Sequence, residues 1–256
     1  MSEAVNEGIE RAHRDGILTH ASLMVGAPAF ADAVRRAKAM PDLRVGLHLV
    51  VIEGAAVLPR AEILDLVDAS GWFPSDQLRL GVRYFFYPHV RRQLAAEIRA
   101  QFTVFAGTGL ALDHANAHKH MHLHPTVGGL MIRIGRDFGL PAMRIPAEPP
   151  AVMAACGAVV GFGDRALYHW TRLLSWRARR AGLRVNDHCF GLTWSGHMTA
   201  DRVLRLAAHL PVGESEIYFH PAAQRDAALD ALMPDYEHEA ELAALCDARV
   251  RAAFTL

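Results

Sequence analysis

Three observations place this chain of 256 residues in the α/β class, as one (β/α) barrel-like domain. Apolar runs of strand length alternate with segments of helical periodicity, the rhythm of a parallel sheet built from βαβ units. The length suits a single barrel of about 250 residues, and no Gly/Ser-rich linker or internal repeat divides residues 1–256. Histidines recur where strands give way to helices, the edge at which such sheets and barrels bind ligands.

The first element reads as an amphipathic helix, with Ser2 as N-cap, Val5, Ile9 and Ala12 inward, and a stop at Asp15-Gly16. A strand normally stands ahead of such a helix in an α/β domain, and none does here, so the barrel is expected to lack its first strand. Ile17 to Val25 then reads as a strand, Phe30 to Met40 as a helix with Val34 and Ala37 inward, and Arg44 to Ile52 as a second strand. His48 interrupts the apolar run Val45–Val51. A buried polar group needs a partner, so it is either a satisfied core residue or a ligand, and a second histidine-bearing strand favours the ligand.

From Glu53 to Pro88 the rhythm breaks into a longer excursion carrying Gly71-Trp-Phe-Pro74 and Tyr84-Phe-Phe-Tyr87. Its aromatics either stack on a sugar ring or close a satellite core. Pro88 to Ala106 reads as a helix with Val90, Leu94, Ile98 and Phe102 on one face. Leu110-Ala-Leu112 then leads into Asp113-His-Ala-Asn-Ala-His-Lys-His-Met-His-Leu-His-Pro125, where His114, His118, His120, His122 and His124 all occupy even positions. An extended backbone sends alternate side chains to one face, so the strand reading makes a wall of imidazole. An incidental surface patch is the alternative. Pro125 opens a helix with Val127, Leu130, Met131, Ile134 and Phe138 at helical spacing.

Ala142 to Pro146 reads as a short strand carrying Arg144, which either contacts substrate or forms an ion pair with a group such as Glu148. Ala151 to Ala181 is helical material. Within it Trp170, Leu173, Leu174 and Trp176 mix with Arg172, Arg177, Arg179 and Arg180. Two readings stand: a helix resting on an anionic membrane, or a solvated helix with an apolar inner face. Arg184 to Leu192 is a further strand with Asp187-His188 at its middle, Thr199 to His209 a helix, and Glu216 to Pro221 the last clear strand. His220 closes that strand just before a proline and reads as a general acid/base.

Composition narrows the function classes. Lys plus Arg and Asp plus Glu number 27 each, so no nucleic-acid partner is expected. Cys156, Cys189 and Cys246 are odd in number and widely spaced, which argues against a disulfide framework or a cysteine zinc site and fits a reducing cytoplasm. The longest apolar run, Ala151 to Phe162, falls short of the roughly 20 residues needed to span a bilayer. Histidines at three strand ends suggest a divalent metal held by imidazole, with another histidine managing protons, and hydrolysis of an amide or ester follows. A carboxylate ligand is not obvious. Asp113 and Asp187 are the candidates.

Asn6-Glu-Gly-Ile9, Gly46-Leu-His48-Leu, Asn116-Ala-His118-Lys-His120-Met-His122 followed by Pro125, and Glu216-Ile-Tyr-Phe-His220-Pro221-Ala222 together resemble the YdjC-like carbohydrate deacetylases. Ile145-Pro-Ala-Glu-Pro149, Asp187-His188 and Trp194-Ser-Gly196 are most similar to the branch associated with hopanoid lipid biosynthesis. The resemblance covers essentially the whole chain. It implies removal of acetyl groups from N-acetylglucosamine-type sugars, with a hopanoid glycolipid as a candidate carrier, by attack of water bound to a divalent metal, zinc or magnesium. His48 and His118 match the family's histidine ligands, and His220, protonated, is expected to donate to the leaving amine. The family's third ligand and its base lie in an Asp-Asp-Phe-Gly element, which would fall just before Met1. The resemblance therefore implies an N-terminally shortened chain of impaired activity. Readings of other kinds stay open: a non-catalytic metal- or sugar-binding domain, a metal-dependent phosphoesterase, and assembly as a homodimer.

Overall fold

Hydrophobic patterning and observed architecture agree on alternation. The computed structural model describes residues 1–254. Helix α1 (Glu3–Arg14) precedes strand β1 (His20–Leu23), then α2 (Phe30–Lys38) and β2 (Arg44–Leu49). A long connection leads to α3 (Gln77–Phe86) and α4 (Pro88–Gly107), followed by β3 (Leu112–Ala117) and α5 (Pro125–Asp137). The second half runs α6 (Pro150–Ala155), α7 (Phe162–Arg180), β4 (His188–Phe190), α8 (Ala200–Ala207), β5 (Ser215–Ile217), α9 (Ala227–Leu232), α10 (His238–Cys246) and α11 (Ala248–Phe254). Strands are shorter than their apolar runs predict. The residues beyond each strand's last ladder bond belong to the loops that build the site.

β1, β2 and β3 form a parallel sheet with β2 central, and β4 and β5 form a second parallel pair. The segment 142–147 links the two. Ala115 faces Met143 and Ala142 faces Arg184 in parallel bridges, Arg144 N donates to Ala115 O, and Cys189 N donates to Ala147 O. The strand predicted from Ala142 to Pro146 is reduced to these contacts, since Pro146 has no N–H to continue a ladder. Asn186 supplies the missing bonds, its side chain pairing with both the N–H and the carbonyl of Ile145. Among the described residues no ladder joins β5 to β1.

Small residues govern how α1 packs. Ala4, Gly8 and Ala12 are buried together with Asn6, while Val5 and Ile9, expected inward, are only half-buried. A Cβ on Gly8 would come 2.7 Å from the Cα of Ala222, so close backbone approach selects the small face. Asn6 ties α1 to α2 by donating to Ala29 O and to the Asp32 carboxylate. The excursion after β2 is anchored by α4. The Gln101 amide pairs with both backbone groups of Val50, and the Glu97 carboxylate accepts from Val57 N and Leu58 N. Phe73 and Tyr84 fill the main core beside Leu47, Leu49 and Ile52, and Tyr84 donates its hydroxyl proton to Val51 O. Phe85, Phe86 and Tyr87 point outward, so the aromatic run splits between core and surface.

Candidate functional site

The site is assembled where β2 and β3 end. Parallel register sets His48 opposite Asn116 and Leu49 opposite Ala117. Gly46, two residues before His48 and therefore on the same strand face, carries the ring of His114 against it. A Cβ on Gly46 would meet the His114 carbonyl at 2.4 Å and its ring at 2.6 Å. Only glycine leaves that space.

The expected extended wall of five histidines is corrected by the structure. β3 stops at Ala117, and His118–Leu123 winds into tight 3₁₀-type turns in which Lys119 and His120 take φ of 48° and 53°. Positive φ ends the alternation of an extended chain, at a cost of roughly 1–3 kcal/mol for each residue. Lys119 is held there by an ion pair to Glu53, itself at φ 44°. His118 consequently lies beside His48, their ring centroids 5.6 Å apart. His120 places Nε2 3.2 Å from the Tyr218 hydroxyl, and His122 is fully buried. His124 instead packs edge-on against Tyr84 and Phe85.

A one-way hydrogen-bond chain runs behind His48. Its Nδ1–H donates to Asn116 Oδ1 at 2.5 Å, Asn116 Nδ2 donates to Ser22 Oγ at 2.8 Å, and Ser22 Oγ–H donates to His114 Nε2 at 2.9 Å. His114 Nδ1–H then donates to the Asp113 carboxylate at 3.1 Å. Because the amide and the carboxylate fix the two ends, His48 keeps its proton on Nδ1 and its lone pair on Nε2.

A cavity of about 1040 Å³ is lined by His48, His118, His120, Arg144, Tyr218 and His220, among others. Burial, reinforced by His118, holds His48 well below the ordinary imidazole range. Burial and then Lys119 bring His118 to about 4. Both rings are neutral at pH 7, the form that ligates a cation. His220, just past β5, is likewise pushed to about 3 by burial and by His120 and His238. Its ring lies 5.7 Å from Tyr218 and 5.1 Å from Tyr236. Behind it the fully buried Glu241 accepts the His220 backbone N–H and also Met198 N, with Glu241 Oε2 3.9 Å from His220 Nδ1.

The donor set tests whether a metal fits. His48 and His118 supply two neutral imidazoles, one of them oriented from behind, as metal-ligating histidines commonly are. Among the described residues no cluster of three or more His, Cys, Asp or Glu forms a metal site. Asp113 and Asp187, the carboxylates considered from sequence, lie elsewhere. Asp113 is spent on His114 and faces His20 at the strand starts, and Asp187 is held by Arg179 and by Glu214 N. Arg144 pairs with Glu216 at 2.5 Å and stands 5.4 Å over the Tyr218 ring. Its partner is therefore not Glu148, whose carboxylate instead accepts the Gly191, Leu192 and Thr193 N–H groups.

Sequence reasoning missed Ser22, Asn116, Tyr218, Tyr236 and Glu241. Asn116 had a signal, since it shares the even parity of His114 and His118. Glu241 had a weaker one, a carboxylate between Ala240 and Leu242 in a largely apolar helix.

Comparison with known proteins bears on this geometry. A family model described as YdjC-like protein matches residues 1–255. A carbohydrate deacetylase of Brevibacillus brevis is 36% identical over 140 residues, 55% of this chain and 53% of that protein. One from Geobacillus stearothermophilus is 33% identical over 150 residues, 58% of this chain and 57% of its own length. The chain thus spans about half the length of the curated relatives it matches. A solved structure from Enterococcus faecalis V583, described as a candidate cellobiose-phosphate cleavage protein, superposes with a TM-score of 0.73 at 23% identity, covering 98% of this chain and 88% of that one. At that identity the likeness concerns the fold.

Proposed function

We propose, from the premise that this chain belongs to the YdjC-like protein family, that it is a carbohydrate deacetylase removing the acetyl group from an N-acetylglucosamine-type sugar. The observation that carries this reading is the meeting of neutral His48 and His118 on one rim of a cavity that His220 also lines. The relatives described as carbohydrate deacetylases support the reaction class. The stretches Ile145–Pro149, Asp187-His188 and Trp194–Gly196 support a hopanoid-type glycolipid as the carrier of the sugar.

His48 and His118 would hold a divalent cation, zinc or magnesium. Such an ion, when bound, polarises an acetamide carbonyl and makes a nearby water more acidic. The protein's own residues do the rest. His220 begins neutral, so the proton it delivers to the departing amine is one it has first taken from the attacking water. Glu241 fixes the backbone that carries the ring. Arg144, already neutralised by Glu216, offers its remaining N–H groups to sugar hydroxyls, beside Tyr218 and Tyr236.

The test is acetate release from N-acetylglucosaminyl substrates with added zinc or magnesium, run beside phosphate release from a generic phosphate ester. Cation-dependent acetate release is expected. Phosphate release alone would make the protein a phosphoesterase, and cation binding with neither product would make it a binding domain.

A further inference from the structure

Helix α7 carries apolar groups on both its faces. Its buried face is Thr171, Leu174, Ser175 and Ala178, while Phe162, Leu173 and Trp176 stand outward at 87%, 46% and 55% exposure. At helical spacing Phe162, Ala166, His169, Leu173, Trp176 and Arg180 share one stripe, flanked by Arg165 and Arg172 on one side and Arg177 on the other. The single carboxylate of the helix, Asp164, is occupied by the Gly161 N–H. A solvated helix would carry polar groups along that outer stripe.

A second apolar patch lies on α3. α3 exposes Leu78, Val82, Phe85 and Phe86, and no carboxylate occurs from Gln77 to Tyr87. The two helices meet at the end of the histidine tract. Trp170 Nε1 donates to Leu123 O at 2.8 Å on the α7 side, and the next residue, His124, packs 6.2 Å from the Phe85 ring on the α3 side. Exposed apolar groups on both sides of one short turn form a patch of the kind that marks an interaction surface.

We propose that this rim docks on the surface of an anionic lipid bilayer. Aromatic and aliphatic tips enter the boundary between headgroups and acyl chains, and the bordering arginines meet lipid phosphates, the arrangement of an interfacial helix. Charge selects this occupant over a second copy of the chain. A two-fold contact through α7 would oppose arginine to arginine with no free carboxylate of the helix between them. Among the described residues no helix is long and apolar enough to cross a membrane, so the contact is one of resting on the surface.

The full chain is to be sedimented with vesicles of phosphatidylcholine alone and of phosphatidylcholine with phosphatidylglycerol. Co-sedimentation with the anionic vesicles only is expected, weakened by high salt and lowered about tenfold by Arg165→Glu/Arg172→Glu. Phe162→Ser/Trp176→Ser should lower it comparably, with unchanged circular dichroism. None of these four residues lines the cavity, and binding is read without turnover, so the outcome is separate from that of the deacetylase assay. No co-sedimentation, equal binding to neutral vesicles, or wild-type binding by both variants would overturn the proposal. So would a concentration-dependent dimer that the same substitutions abolish.

Discussion

His48 and Asn116 are direct register partners on β2 and β3, and their side chains are joined at 2.5 Å through the imidazole Nδ1 and the amide oxygen. The bond leaves His48 Nε2 as an unprotonated acceptor opening on the cavity before any cation arrives. Asn116 is itself fixed by Ser22, and Ser22 by His114. Ring orientation is thus set by a relay of side chains running from Asn116 to His114.

Asn116→Ala is expected to weaken zinc binding by about 10- to 100-fold, the usual cost of losing the group that orients a ligating histidine. Isothermal calorimetry reads this directly. Ser22→Ala should act in the same direction and less strongly. Wild-type affinity in Asn116→Ala would mean that the bond does not orient the ring.

His118→Ala and His220→Ala should separate binding from turnover. The first is expected to lose the cation. The second should keep it and lose about 10²- to 10⁴-fold in rate, the range for a positioned proton carrier. Full acetate release by His220→Ala would remove that residue from the chemistry.

Gly46→Ala should destabilise the fold by about 1–3 kcal/mol, the range for overpacking a filled interior. The added methyl falls on the His114 ring and carbonyl, so the change should also disturb the chain of bonds that ends at His48. Urea denaturation and zinc affinity measured on the same sample check both effects.

Burial raises Glu241 from 4.5 to about 7. The folded state therefore holds this proton more tightly than the unfolded state does. Its contribution to stability is complete below about pH 4.5 and is lost as pH rises through about 7, on the order of 3 kcal/mol in all. Glu241→Gln should flatten that part of the profile in urea titrations taken from pH 4.5 to 8. An unchanged slope would assign it to other groups.

In the sequence, α4 and α5 are legible because one face of each is apolar and the other polar, β2 because it is a nearly continuous apolar run, and β3 by its apolar lead-in and the alternation of the histidine tract. The sequence hid α3 and blurred α7, because Leu78, Val82, Phe85, Phe86, Phe162 and Trp176 put apolar groups on the solvent side and erase the contrast that periodicity needs. α10 is apolar nearly all round, so Glu241 could not be aimed at His220 without the fold. The histidines at 48, 118 and 220 were recognisable as a group from strand-end position and family resemblance. The separation of His118 and His120 from His124 was not, since it depends on two left-handed residues that an extended reading does not foresee.

The left-handed step at Lys119 and His120 has a consequence for variation along this stretch. Once the backbone coils after Ala117, the aim of each imidazole depends on the number of residues before Pro125 more than on the identity of the ones between. Insertion or deletion of one residue there would rotate His118 or His120 out of the cavity while leaving composition almost untouched. Length, at this place, is the quantity that cannot drift.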